Sequence, residues 1–129
     1  MKQLGLVCIL SFFLNIVWEY AHAPLYVSYK GGPITHFILF HASLGDALLL
    51  TLLALPFCFN SFFRTRLWLI VPLGLFVAVL VEYYGLQTGR WVYAESMPIV
   101  PLLKVGLTPF VQLALTGTVS YTIVLNKKL

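Results

Sequence analysis

Hydrophobic residues are grouped into four long segments, which are separated by three short polar stretches, two of which contain proline and glycine. We predict a helix in each segment, over residues of about 4–21, 35–56, 67–86 and 100–125. Each is long enough to cross, or nearly cross, a hydrocarbon layer of about 30 Å. The runs 47–63 and 105–126 contain no charged residue. The pattern predicts an all-α membrane protein, one domain over residues 1–129, with four transmembrane helices in an antiparallel bundle.

The predicted helix ends depend on proline and on capping residues. Pro24 disfavours helical backbone in the residue before it, so the first helix is expected to end ahead of it. Thr35 is a candidate N-cap for the second helix. The fourth helix has two possible starts, near Val100 or at Pro109, and in the second case Thr108 would be its N-cap.

Each predicted helix has one stripe of polar or small side chains at helical spacing. The stripes are Ser11, Asn15, Glu19 and His22; His36, Ser43 and Asp46; Gly74, Ala78 and Glu82; and Lys104, Thr108, Gln112, Thr116 and Ser120. Polar groups that face lipid tails are costly, so we expect the stripes to face the interior of the bundle. In that arrangement Asp46 lies level with Gln112. Lys104 is the expected ion partner of Glu19 or Glu82, provided that the fourth helix starts near Val100.

Composition supports a membrane location. The chain is 60% hydrophobic and only 9% charged, with a mean hydropathy of +0.94, so it has too few charges to cover a soluble surface. Its net charge of +4 comes from basic residues scattered at the predicted helix ends, which does not indicate a nucleic-acid partner. The positive-inside rule assigns to the cytoplasm Lys2, Arg64, Arg66, Lys127 and Lys128, with Lys30, Arg90 and Lys104 outside. We therefore predict cytoplasmic termini and a bacterial inner-membrane protein.

The acids and histidines gather near the outer ends of the predicted helices. This group contains Glu19, His22, His36, His41, Glu82 and Glu95. Asp46 lies about midway along the second helix, and the cytoplasmic side has neither an acid nor a histidine. The distribution predicts a polar pocket in the outer half of the membrane, with Glu19, Glu82 and Asp46 as candidate catalytic acids.

Glu19 and His22 have three possible roles. Their spacing occurs in di-iron bundle proteins, and His36 or His41 could complete a metal shell. Alternatively, Glu19 pairs with Lys104 or Arg90 and His22 lies at the interface. The third role is acid–base chemistry by a carboxyl in a low-dielectric pocket. No other cofactor is expected.

Asp46 and Arg90 each leave two interpretations open. Asp46 is either protonated and hydrogen-bonded to Gln112, or it serves a ligand. Arg90 lies beside the aromatic side chains of Trp91 and Tyr93. It could bind a phosphate or carboxylate headgroup, or it could anchor the helix end at the membrane interface.

Two segments carry a resemblance to known enzymes. Asn15-x-x-Trp18-Glu19 resembles the Trp-Glu segment of small membrane-bound terpene cyclases. A second stretch resembles the glutamate-to-aromatic segment of lycopene cyclases and carotenoid hydratases, through Glu82, Gly85, Thr88, Gly89, Trp91 and Tyr93. The resemblance implies that acidic residues protonate an isoprenoid double bond or epoxide, and only Glu19 and Glu82 have a matching context. Taken whole, the chain also resembles small bacterial integral membrane proteins.

Two functions follow from these patterns. The first is a cyclase- or isomerase-like enzyme for an isoprenoid or other lipid-soluble substrate, with Trp18, Tyr84 and Trp91 facing a developing carbocation. The second is a non-catalytic protein that binds a lipid, a pigment or a metal, or an accessory subunit of a membrane complex or homo-oligomer. The remaining candidate ligand-binding residues are His22, His36, Arg90, Lys104 and Gln112.

Overall fold

The computed structural model describes residues 2–125, most of which are helical. The helices are α1 (Lys2–His22), α2 (His36–Phe59), α3 (Ser61–Arg64), α4 (Ile70–Gln87) and α5 (Leu107–Val124). Short 3₁₀ turns at Ala23–Leu25 and Leu67–Leu69 extend α1 and precede α4. Four helical stretches are long and apolar enough to cross a membrane, at 2–25, 36–59, 67–87 and 107–124. The four predicted spans are therefore confirmed.

Local sequence explains where α2 begins and ends. The Thr35 side chain accepts a hydrogen bond from the Ile38 amide at 3.2 Å, so the predicted N-cap is confirmed. The helix continues through Pro56 to Phe59, slightly beyond the predicted end. Asn60 closes it, since the Asn60 amide donates to the Pro56 carbonyl at 2.9 Å. The Asn60 side chain then caps α3.

The last span begins late, at Leu107, and not near Val100. Pro109 lies in its first turn, where a missing backbone N–H costs no intrahelical bond. The prediction of Thr108 as the N-cap is wrong, because Gly106 occupies that position. Thr108 is inside the helix, and its hydroxyl contacts His22.

A two-stranded antiparallel sheet was not predicted. Strand β1 (Tyr26–Tyr29) follows α1 and pairs with β2 (Trp91–Tyr93), which follows α4. Tyr26 lies opposite Tyr93, and Tyr29 lies opposite Trp91. The all-α prediction is therefore corrected, because aromatic residues in two distant connections pair as strands across one end of the molecule.

The helices pack closely at one end and separate at the other. Helix α1 packs on α2 and α5, and α4 packs on α5, whereas α2 and α4 make almost no direct contact. A buried cluster fills the well-packed end, and it includes Val7, Leu50, Ala54, Phe57, Ile70 and Tyr121. The Tyr121 hydroxyl donates to the Leu50 carbonyl and joins α5 to α2. The wide end lies under the sheet.

We expect Gly74→Ala to lower thermal stability, because a methyl group at Gly74 would lie 2.8 Å from the Ala114 backbone nitrogen. Helix α4 would then have to move away from α5, at a cost of about 1–3 kcal/mol. A methyl group at Gly45 of α2 meets no atom, so Gly45→Ala is the matched control and should be neutral or stabilising. The measurement is thermal unfolding in detergent, followed by circular dichroism. Equal melting temperatures for the two variants would contradict the close α4–α5 contact.

Candidate functional site

A cavity of about 340 Å³ occupies the wide end of the molecule. Its volume lies at the lower end of the range for small-molecule sites. The walls are largely apolar and include Ile34, Ile38, Leu39, Ala42, Leu49 and Val81. The polar lining consists mainly of Glu19, His22, Asp46, Glu82 and Gln112. The structure thus brings all three predicted acids to one cavity.

The side-chain amide of Gln112 is the centre of the polar cluster. Its nitrogen, Nε2, lies 2.8 Å from Asn15 Oδ1, 2.8 Å from Glu19 Oε2 and 2.7 Å from Asp46 Oδ2. An amide nitrogen has two hydrogens, so it can donate fully to only two of these three oxygens. The two carboxyl groups therefore lie close together and compete for one donor. The predicted proximity of Asp46 and Gln112 is confirmed.

His22 connects Glu19 to the start of α5. Its Nδ1 lies 2.9 Å from the Thr108 hydroxyl, and its Nε2 lies 3.3 Å from Glu19 Oε1. The imidazole is buried, with 5% of the residue exposed. Because both ring nitrogens have partners, the ring is fixed in orientation, and it holds the Glu19 carboxyl from the side opposite Gln112.

Glu82 lies beneath the sheet and is 6% exposed. One carboxyl oxygen, Oε1, accepts from the Tyr93 hydroxyl at 2.5 Å, the Trp91 indole at 3.2 Å and the Tyr26 hydroxyl at 3.5 Å. Among residues 2–125, the other oxygen, Oε2, has no hydrogen-bond partner. Glu82 lines the cavity, so this oxygen is available to a ligand.

The two tyrosines above Glu82 remain hydrogen-bond donors. Burial raises the pKa of the Tyr93 hydroxyl, and the adjacent Glu82 carboxyl raises it further. Burial and the charge of Glu82 raise the pKa of Tyr26 in the same way. Both hydroxyls therefore keep their protons at neutral pH. The Tyr93 oxygen also accepts from the Gly106 amide at 2.9 Å, which connects the sheet to the start of α5.

Trp91 is fixed against α4 by a glycine. Any side chain at Gly85 would overlap the indole ring, so the ring lies directly on the helix backbone. Trp91 also lies nearly parallel to Tyr29, with ring centroids 6.4 Å apart and planes 18° apart. The indole is consequently a rigid wall of the cavity beside Glu82.

Arg90 lies at the rim and not inside the cavity. Its Nε donates to the Tyr84 hydroxyl at 3.1 Å, and its Nη1 donates to the Tyr29 hydroxyl at 3.3 Å. Tyr84 is 55% exposed and contacts the guanidinium from outside. The expectation that Tyr84 faces a reacting carbocation is therefore not met, since Tyr26 and Tyr29 line the cavity and Tyr84 does not.

Three other predicted residues also lie away from the cavity. Lys104 is exposed in the turn before α5, with a φ of 60°, and the predicted ion pair with Glu19 or Glu82 is wrong. Within the described residues the ion pair found is His22–Glu19. The His36 Nδ1 atom is hydrogen-bonded to the Tyr20 hydroxyl at 2.6 Å, so His36 does not join Glu19 and His22 in a metal shell. Residues 2–125 contain no metal-binding cluster of three or more acids, histidines or cysteines. Trp18 has a buried indole N–H without a partner, but it does not line the cavity.

Sequence reasoning missed Tyr26 and Tyr29 as cavity residues and Tyr93 as the shortest contact to Glu82. Their loops contain no helical periodicity, and the strand pairing that aligns them joins distant parts of the chain. The available signal was the aromatic character of Tyr26-Val-Ser-Tyr29 and Trp91-Val-Tyr93, which is typical of strands.

We expect Gln112→Leu to destabilise the protein, because it removes the donor shared by Asn15, Glu19 and Asp46. Each buried oxygen left without a donor costs about 1–3 kcal/mol. Gln87→Leu, at the exposed end of α4, is the matched control and should change little. Thermal unfolding of both variants in the same detergent is the measurement. A Gln112→Leu protein as stable as the control would show that the amide is not needed to hold the acids together.

Comparison with known proteins finds no relative: no family model matches the chain, and no curated protein or solved structure is significantly similar to it. The resemblance of the Trp18-Glu19 and Glu82–Tyr93 segments to membrane-bound cyclases therefore stays a prediction. The arguments for function depend on the geometry of the cavity.

Proposed function

We propose that the protein is a membrane enzyme of the cyclase or isomerase type, which protonates a double bond or epoxide of an isoprenoid or similar lipid-soluble substrate. The observation that carries this proposal is the contact of Glu19 and Asp46 with the same amide nitrogen inside an apolar-walled cavity. The apolar walls suit a substrate with a long hydrocarbon part, and Glu19 and Asp46 would contact that substrate at the polar part of the lining.

The chemistry follows from like charges at close range. Two carboxylates that share a site in a low-dielectric environment cannot both ionise easily, so the pair retains a proton. The protonated member is a general acid, and the ionised member is a base. We assign the general-acid role to the pair as a unit, and Glu19 is the member whose two oxygens are held in place, by His22 and Gln112.

The reaction balances without a further reactant. The carboxyl proton is transferred to one carbon of a double bond, whose electron pair forms the new C–H bond and leaves a cation on the neighbouring carbon. In a cyclisation a second double bond of the same molecule attacks this cation. Loss of a proton to the Glu19–Asp46 pair then regenerates a double bond and the acid. Trp91 and Tyr26 offer aromatic faces to the cation, and Glu82 offers a carboxyl group.

In this proposal the molecule is an antiparallel bundle with both termini in the cytoplasm of a bacterial cell and the cavity in the outer half of the inner membrane. Arg64 and Arg66 lie in the turn at the well-packed end, which supports a cytoplasmic location for that end. Two further basic residues used in the prediction, Lys127 and Lys128, lie outside the described residues. Membrane lipids or the isoprenoid itself are the proposed partners.

A second candidate function is non-catalytic binding of a lipid or pigment, alone, as a homo-oligomer or as a subunit of a membrane complex. The observation that favours it is that α2 and α4 both line the cavity but make almost no direct contact, and we propose that a ligand enters between them. A lipid-soluble ligand can enter by that route whether or not the acids react with it.

Replacing Glu19 by Gln separates the two functions, because the amide keeps the shape of the side chain but has no acidic proton. We expect Glu19→Gln to lower product formation by about a hundredfold or more, as is typical for removal of a general acid. Glu95→Gln, at an exposed acid away from the cavity, is the matched control. Lipid extracts of cells that express each form are compared by mass spectrometry. If the wild type and Glu19→Gln gave identical extracts, the enzymatic proposal would be overturned.

Gly45→Leu tests whether the cavity is the place of binding. Gly45 lines the cavity, and a Cβ atom added there has no neighbouring atom within 4 Å, so we expect leucine to occupy cavity space without disturbing the backbone. Gly5→Leu, an equally open helical glycine away from the cavity, is its control. We expect only Gly45→Leu to lose co-purified or converted lipid by tenfold or more, with unchanged melting temperature. Equal retention by both variants would place binding elsewhere.

A further inference from the structure

The corner of the cavity around Glu82 differs chemically from the Glu19–Asp46 pair. Three aromatic side chains line it, those of Tyr26, Tyr29 and Trp91. The Tyr26 and Trp91 side chains donate to the same oxygen of Glu82, and Tyr29 stacks on Trp91. The result is a carboxyl group surrounded by aromatic rings. This combination is typical of sites that bind quaternary ammonium groups.

The charges of the lining support the same interpretation. Glu19, Asp46 and Glu82 all line the cavity, and none of the lysines and arginines among residues 2–125 does so. His22 is the basic side chain present, and it is committed to Glu19 and Thr108. The nearest arginine, Arg90, is bound at the rim by two tyrosine hydroxyls. The cavity therefore has an excess of acidic groups that a positively charged ligand would balance.

Glu82 has fewer compensating interactions within the cavity than Glu19 and Asp46 have. Glu19 and Asp46 have the Gln112 amide, His22 and a shared proton to satisfy them. Glu82, at 6% exposure, has three neutral donors on one oxygen and no partner on the other within the described residues. The second oxygen belongs to a side chain that lines the cavity, and a positively charged group in the cavity would interact favourably with the carboxylate.

We infer that the Glu82 corner binds an ammonium group of an amphiphilic ligand whose hydrocarbon tail lies along the apolar walls between α2 and α4. The inference deepens the proposed function and rests on it in one respect, since a cation formed by protonation of a double bond would be stabilised in the same corner. A stable ammonium compound would then resemble that cation and bind tightly.

The test compares two probes of the same shape. Decyltrimethylammonium carries the charge, and the hydrocarbon in which carbon replaces its nitrogen does not. Binding to the full-length protein in maltoside micelles is measured by calorimetry, with both probes dissolved in the micelles and compared at equal mole fractions of the detergent. We expect the ammonium compound to bind about tenfold more tightly or better. Equal affinity of the two probes for the wild type would overturn the inference without the need for any variant.

Glu82→Gln removes the charge and keeps the shape, so we expect it to abolish the preference for the ammonium probe. Glu95→Gln should retain the preference, since Glu95 is exposed and outside the cavity. Trp91→Phe keeps an aromatic wall but weakens the cation–π contact, and it should reduce the preference several-fold. A preference that is unchanged in both Glu82→Gln and Trp91→Phe would overturn the assignment to this corner.

Failure of this inference and failure of the proposed function have different signatures. Glu82-dependent ammonium binding without any product that depends on Glu19 supports the ammonium site and overturns the enzyme. A Glu19-dependent product with equal binding of the charged and neutral probes supports the enzyme and overturns the ammonium site. A third probe, a phosphocholine with the same hydrocarbon chain, shows whether the ammonium group belongs to a lipid headgroup or to a free amine. Binding equal to that of the simple ammonium probe supports the site with a lipid headgroup as ligand, and weaker binding supports it with a free amine as ligand.

Discussion

The hydrogen bonds of one amide nitrogen, Gln112 Nε2, hold the interior of this molecule together. They join α5 to α1 through Asn15 and Glu19, and to α2 through Asp46. Lipid tails are as apolar as leucine, so helix association in a membrane depends on packing and on interhelical hydrogen bonds. Further bonds between Ser11 and Ser120 and between Asn15 and Thr116 hold α1 against α5. The same bonds that assemble these helices therefore position the candidate acids.

The space between the four apolar helices is filled differently at the two ends of the bundle. At one end, large side chains such as Phe57 and Tyr121 fill the space between helices. At the other end, α2 and α4 are apart, and a sheet of two short strands covers polar side chains. Buried polar groups need partners, and the sheet supplies them through Tyr26, Trp91 and Tyr93, which all bond to Glu82. The cavity thus depends on both the helical stripe and the extramembrane strands.

The helices and their interior faces could be predicted from the sequence, because they depend on periodicity. The structure of the connections between helices could not be predicted in this way. Hydrophobic runs located all four spans, and helical spacing placed Glu19, Asp46, Glu82 and Gln112 on interior faces. Lys104 was placed wrongly because its spacing continues the stripe of α5, whereas the backbone there is a turn and the helix begins only at Leu107. The partners of Glu82 were not predictable from spacing, because strand pairing between two loops has no local periodic signal.

The pairing of β1 with β2 has a consequence for the order in which the molecule is assembled. As the ribosome delivers the chain to the membrane, α1 and α2 enter first, so Glu19 and Asp46 are inserted before Gln112 has been synthesised to donate to them. Tyr26 can pair with Tyr93 only after two further membrane-spanning helices, α2 and α4, have been synthesised. Closing such a long loop is slow, and long-range pairing forms late. The cavity is therefore completed only near the end of biogenesis, after most of the chain has already been inserted.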